Sequence, residues 1–348
     1  MVDSRCARVR NSLSPLRQFI HNHAQQFNRV QRILFNETPQ SSSAGKAQSY
    51  SRYEPPLNTF FVASVPNAYV QGITGAVHDA DLRLFAPPGT FMSETDVPIG
   101  PDRAPEARGN RSTTFSLLAT VIQSYGWMYH HWVVETLPKL VLLRDVLPTA
   151  LGTGAWDASQ LGVLTWGQPW EAEWLDVLHI PRSAALTFDP NLGAVAKTLL
   201  LPSPVQIITP PAESLHLARD AVLSTLPPAG PRNLIVVTSR AGERSRAVAN
   251  ENDLLYALAA AFPMFTVVAQ NRSVRPKEAV ALFSRAVAVV GPHGAGLSHT
   301  LFCPPGTAVV ELMFMRSPPM MFWHMAAALN LRYAMAPQPR SFWCACMM

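Results

Sequence analysis

Ala286-Val-Ala-Val-Val290 runs straight into Gly291-Pro-His-Gly-Ala-Gly-Leu297. Five small or β-branched apolar residues predict a buried strand. The glycine-rich stretch predicts a tight turn that opens a helix over 295–302. Such a turn falls at the carboxyl edge of a parallel sheet, where open α/β folds bind ligands. Gly294 and Gly296 let an anion approach the backbone, and the free N–H groups around Ala295 at a helix start attract phosphate. His293 ends the strand, and its ring is expected to point into a cleft and donate to a phosphate or sugar oxygen. Glycine alone serves a plain strand-to-helix turn equally well, so the motif gains meaning only from its neighbours.

Those neighbours alternate strand and helix with short connections. Upstream, the pattern predicts a helix over 215–226 and a strand over 233–238. A helix over 252–262 with an Asn cap, a strand over 265–268 and a helix over 277–285 follow. Downstream come a strand over 307–312 and a helix over 319–329. The first half reads similarly: a helix over 128–147 that Pro138 should end or kink near Leu137, strands over 161–165 and 198–201, and a helix over 170–178. This alternation predicts an α/β fold of parallel sheets covered on both faces. The proline-rich stretch 202–211 is the best boundary. Residues 1–55 read as a polar tail or stem, 56–205 as an N-terminal lobe and 206–348 as a C-terminal lobe, whose last helix can pack back on the first. Two Rossmann-like lobes then enclose a cleft.

Composition narrows the class. Of 348 residues, 48% are apolar and 15% charged, enough for sizeable cores and against global disorder. The net charge of +5 suits a phosphate-bearing ligand or an acidic polymer. No basic run with interleaved aromatics points to nucleic acid. Cys6, Cys303, Cys344 and Cys346 form neither a disulfide framework nor a metal-ligand spacing. No apolar stretch of about 20 residues predicts a membrane span, and residues 1–35 lack a signal-peptide apolar run. Sequons at Asn36, Asn110 and Asn271 support a secretory location weakly.

The run Gly291-Pro-His-Gly-Ala-Gly-Leu-Ser-His-Thr-Leu-Phe-Cys-Pro-Pro-Gly-Thr-Ala-Val-Val-Glu-Leu312 resembles the signature of glycosyltransferase family 61. Thr238-Ser-Arg240 with Arg244, Arg246 and Asn250-Glu251 is similar to that family's "SR…R…NE" segment. Tyr125–Leu140 looks like its "NYYHWxxExLPKL" segment. The resemblance covers roughly residues 115–335. The sequence departs from the pattern at His299, where Asn is usual, and in the doubled His130-His131. The resemblance implies a GT-B fold and inverting transfer from a UDP-sugar, the donor substrate, with no cofactor. It also implies a glycan or glycoprotein acceptor, as in enzymes that decorate xylan or add N-acetylglucosamine to proteins, and a Golgi or endoplasmic reticulum setting.

Chemistry assigns candidate roles. A departing diphosphate needs positive charge, and Arg240, just past the 233–238 strand, suits a phosphate fork, with Arg246 as a second cation. Glu311 ends a buried strand and serves either a ribose hydroxyl or the structure itself. Asn250 and Glu251 either cap a helix or touch ligand. Inverting transfer needs a base, and His131 and Glu135 lie i, i+4 on one helix face. Either can be that base, and Asp79 and Asp81 are alternatives. His130 points about 100° from His131. Neither His130-His131-x3-Glu135 nor Asp79-Ala-Asp81 makes a strong metal motif. A non-catalytic nucleotide- or glycan-binding module of the same fold is the alternative. A dinucleotide oxidoreductase is disfavoured because no G-x-G-x-x-G opens an early βαβ unit.

Overall fold

The computed structural model describes residues 60–79, 84–85, 114–150, 156, 161–203, 205, 209–271, 274–314 and 319–337. The polar segment 1–55, Asp81, Asn36, Asn110, Cys6, Cys344 and Cys346 lie outside the described residues.

The first sheet has seven strands in the order β3-β2-β1-β7-β4-β5-β6. They are β1 Val62–Gln71, β2 Ala76–His78, β3 Leu84–Phe85, β4 Thr114–Thr120, β5 Gly162–Thr165, β6 Ala185–Thr187 and β7 Ala194–Pro202. β7, β4, β5 and β6 run parallel, whereas β1 pairs antiparallel with both β2 and β7. The expected all-parallel sheet is therefore corrected here. The reason is that β1 is followed by a tight turn through Gly72 and Gly75, not by a crossover helix.

The second sheet is parallel throughout, in the order β12-β11-β10-β8-β9. Its strands are β8 Leu234–Thr238, β9 Thr266–Gln270, β10 Ala286–Pro292, β11 Ala308–Met313 and β12 Arg332–Pro337. Every residue of β8 is buried, as the unbroken Leu-Ile-Val-Val-Thr run requires of a central strand.

Helix α1 covers residues 129–150. It opens with an α turn, Tyr129–His131, passes through a π-helical stretch, Trp132–Thr136, and continues as Leu137–Ala150. Pro138 thus neither ends nor breaks the helix. The π stretch directly before it takes up the missing N–H and the ring's clash with the preceding turn. Helices α2 Glu171–Val177, α3 Ala212–Leu223, α4 Glu251–Ala261, α5 Pro276–Phe283 and α6 Met321–Ala328 complete the fold. Residues Ala295–Phe302 form a 3-10 helix instead of the expected α-helix. There Thr300 Oγ1 donates to Leu297 O at 2.7 Å, competing for a carbonyl that an α-helix would use.

One apolar cluster runs between the two sheets. It includes Trp132 and Leu140 of α1, Trp174 of α2, Leu215 of α3, and Leu297 and Phe302 of the 3-10 helix. Trp174 stacks on Phe302 with ring centroids 5.7 Å apart. Each such buried side chain contributes about 1.5–3 kcal/mol, so the two halves are fastened by a shared core.

Candidate active site

The order of the second sheet reverses between β8 and β10, which makes their carboxyl ends the switch point where α/β sheets take ligands. The two ends touch. A Cβ on Gly291 would lie 1.7 Å from Thr238 Oγ1, so only glycine permits this approach.

Two guanidinium groups converge on the turn that follows β10. A Cβ placed on Gly294 would meet Arg240 Nη1 at 2.9 Å and Arg246 Nη1 at 3.8 Å. Arg240 Nε donates to Ser245 O at 3.1 Å, and Arg246 Nη1 donates to His293 O at 3.0 Å. Arg246 has φ +63°, a left-handed conformation that costs a non-glycine residue energy. Its guanidinium carbon sits 5.7 Å from the Phe314 ring centroid. Burial first, and the like charge of Arg240 second, lower the Arg246 pKa. Two neighbouring cations, one of them half-buried on a strained backbone, form a site that an anion would relieve.

The turn borders a cavity of about 310 Å³. Thr238, Ser239, Arg240, Gly294, Ala295 and Gly296 line one part of it, and Gln270, Asn271 and Pro276 another. Tyr129 and Trp170 reach it from the first half of the chain.

His293 is turned differently from expectation. Its Nδ1 pairs with Glu311 Oε1, and the Tyr333 hydroxyl donates to Glu311 Oε2. Glu311 is 1% exposed, and neither His293 nor Glu311 borders the cavity. A buried carboxylate draws hydrogen-bonding partners to itself, and His293, directly after β10, is within reach of Glu311 on β11. His293 still shapes the turn, since its carbonyl accepts from Arg246. Of the other expected polar residues, Glu251 accepts from Ser239 Oγ at 2.6 Å, while the Asn250 side chain makes no cap hydrogen bond. Arg244 is exposed, and Asp79 does not border the cavity.

The start of α1 gathers a second group. His131 Nδ1 lies 3.0 Å from Glu135 Oε1, and Gln123 Nε2 donates to Glu135 Oε2 at 2.8 Å. Glu135 has no exposed surface. Lys139, one turn on, is buried as well. Desolvation pushes its ammonium down to about 8, against the pull of Glu135. His130 does not stand apart from His131, for their rings meet edge to face at 5.2 Å. His130 Nδ1 reaches Ser298 Oγ at 2.8 Å, and burial, with His131 and His293 nearby, lowers its pKa to about 3. Tyr129 OH lies 2.7 Å from His299 Nε2, and burial lowers the His299 pKa to about 4.

The structure thus brings Arg240, Arg246, Gly294, Ala295 and Gly296 together, and His131 with Glu135. His293 and Glu311 pair behind the turn. Tyr129, Trp170, Gln123 and Lys139 were not expected here. A doubled histidine after Tyr129 was visible in the sequence, but no motif marked Gln123 or Trp170. Among the described residues no group of three or more His, Cys, Asp or Glu is arranged to hold a metal ion.

The class that this fold and site define is borne out by comparison with known proteins. The chain belongs to the Glycosyltransferase 61 family, whose model matches residues 129–310. A 78-residue stretch, 22% of this chain, is 44% identical to Protein O-linked-mannose beta-1,4-N-acetylglucosaminyltransferase 2 of Homo sapiens. The Bos taurus protein of that name matches equally, and the Xenopus laevis one is 41% identical over the same length. The matched stretch spans 13% of the length of each of these relatives.

Proposed function

We propose that this chain is an inverting glycosyltransferase of GT-B arrangement that moves a sugar from a UDP-sugar to a hydroxyl of a glycan or glycoprotein. The observation that carries this reading is the convergence of Arg240 and Arg246 on Gly294 at the switch point. The pyrophosphate lies against the Gly294–Gly296 backbone, and the two guanidinium groups take the charge that develops as the bond from the sugar to UDP breaks.

His131 is the base. Its Nδ1–H donates to Glu135, which leaves Nε2 free to accept the proton of the acceptor hydroxyl as that oxygen attacks the anomeric carbon. Glu135 serves as the orienting carboxylate, because it is fully buried and both its oxygens are already engaged by His131 and Gln123. His293 and Glu311 act as a brace for the turn. Attack opposite the leaving group inverts the anomeric centre.

The relatives' name refers to transfer of N-acetylglucosamine to protein-linked mannose, so UDP-N-acetylglucosamine and an O-mannosyl peptide are the first pair to test. A release assay for UDP over a panel of UDP-sugars, with and without mannosyl and xylan acceptors, tests the proposal. Acceptor-dependent UDP release from one donor supports it. Absence of release with every pair, in a protein that is folded, counts against catalysis and favours a binding module. A Golgi or endoplasmic reticulum lumen is the setting we propose for this activity. Among the described residues no helix is long and apolar enough to cross a membrane.

A further inference from the structure

Beside the His131–Glu135 pair stands a group of aromatic side chains that the proposed reaction leaves without a task. The loop from β4 to α1 folds as two successive turns, with Gly126 N donating to Gln123 O at 3.1 Å and Met128 N to Tyr125 O at 2.8 Å. Tyr125 holds φ +61°, a conformation that a bulky residue adopts only where its surroundings impose it. Its side chain is nonetheless 40% exposed, and Met128 is 49% exposed. The Tyr125 ring lies 5.7 Å from Trp127 and 5.3 Å from the His131 ring. Trp127 meets Trp166 edge-on at 5.2 Å, and Trp166 meets Phe188 at 5.9 Å. A Cβ on Gly126 would come within 2.7 Å of Trp166 Nε1, so the turn is pressed onto a fixed ring.

The place of this shelf matters as much as its composition. It follows the carboxyl end of β4, and Trp166 follows the carboxyl end of β5, two adjacent parallel strands. That is the ligand-binding edge of the first sheet, as the Gly291–Gly296 turn is of the second. The His131 ring has Tyr125 at 5.3 Å and His130 at 5.2 Å, and His130 is the residue bonded to Ser298 beyond the phosphate turn. In this chain of contacts His131 stands between the aromatic shelf and the glycine turn, where a base can meet an acceptor hydroxyl directed at the donor.

We propose that Tyr125, Trp127 and Met128 form the acceptor subsite and that its occupant is a pyranose ring. The inference rests on the function proposed above and names the acceptor for it. One face of a pyranose carries C–H groups that lie against an aromatic ring, while its hydroxyls project around the edge, where one can reach His131. Rigid Tyr and Trp side chains supply contact area at small entropic cost. A bare polypeptide is a poorer fit. Peptide recognition draws on main-chain hydrogen bonds, and here the N–H groups of Gly126 and Met128 and the carbonyls of Gln123 and Tyr125 are spent within the turns.

Saturation-transfer NMR on the whole chain with UDP present tests this. The probes are methyl α-D-mannopyranoside, xylotriose and an unglycosylated Ser/Thr peptide. Transfer to ring C–H protons of a sugar probe is expected, falling tenfold or more in Trp127→Ala and in Tyr125→Asn. The peptide should show none. UDP affinity by calorimetry should change less than twofold in both variants. Tyr125→Asn separates recognition from folding, because Asn tolerates the left-handed conformation and the melting temperature should hold or rise. A wild type that binds UDP but neither sugar overturns the shelf, as does sugar transfer unaltered in both variants or transfer to the peptide alone. Sugar binding without UDP binding contradicts the donor site and leaves the shelf standing.

Discussion

The Tyr129 hydroxyl lies 2.7 Å from His299 Nε2, and the next residue along, His130, lies 2.8 Å from Ser298 Oγ. Two consecutive side chains of α1 are thus tied to two consecutive residues of the 3-10 helix Ala295–Phe302. His131, the proposed base, follows them directly, so its position depends on the 3-10 helix as well as on its own half of the chain. His299 is buried, and the Tyr129 hydroxyl is the side-chain group that meets its Nε2. Tyr129→Phe should therefore leave His299 Nε2 without its hydroxyl partner in a buried place and destabilise the fold by about 1–3 kcal/mol in chemical denaturation. Transfer rate should fall more than UDP affinity does. An unchanged rate with lowered stability would limit the bond to a structural role.

The pair His131 and Glu135 gives a second expectation. His131→Ala should lower transfer by about 10²–10⁴-fold, the span of a lost general base, with UDP affinity intact. Glu135→Gln should fall in the same direction, because the amide has no charge to stabilise the imidazolium and one acceptor oxygen for the two donors His131 and Gln123. Initial-rate kinetics at saturating donor measure both. Full activity in the two variants would remove the pair from the reaction.

Gly291, at the end of β10, and Gly294, in the turn that follows, should behave in opposite ways. In Gly291→Ala the new methyl falls 2.9 Å from Thr238 Cβ as well as onto its hydroxyl, between two central strands, and the protein should melt lower or fail to fold. In Gly294→Ala the nearest atom is the mobile end of Arg240, which can swing aside. That variant should melt close to wild type but bind UDP at least tenfold more weakly. Thermal melts and calorimetry separate the two outcomes.

Buried histidines set a pH dependence. Burial holds His130 down to about 3 and His299 down to about 4, from an ordinary value near 6.5. Between these values the unfolded chain binds protons that the native protein refuses, so stability rises with pH through that window. The contribution is complete above about pH 6.5 and is lost as pH falls toward 4. His299→Asn should flatten this part of the melting-temperature profile. A profile as steep as wild type would mean that His299 does not remain neutral in the fold.

Much of this was legible in the chain. The strand at Ala286–Val290, the glycine turn and the Leu-Ile-Val-Val-Thr run follow from periodicity and from the backbone freedom of glycine. Arg240 was legible because it stands just past a strand whose end faces the ligand edge. The direction of His293 was not, because it depends on Glu311, eighteen residues later and brought near only by the parallel pairing of β10 with β11. The passage of α1 through Pro138 depends on a π stretch that no local propensity announces. Tyr129 and Trp170 enter the cavity through the packing of one half on the other, a distance that no spacing in the sequence encodes.

In the proposed reaction the Gly294–Gly296 turn, with Arg240 and Arg246, holds a pyrophosphate. Titration calorimetry of UDP into the folded protein, set beside uridine and the Arg240→Ala variant, tests it most directly. UDP should bind measurably, at least tenfold more tightly than uridine and than UDP to Arg240→Ala, and more weakly as salt is added. UDP binding that matches uridine and ignores the loss of Arg240 would contradict it.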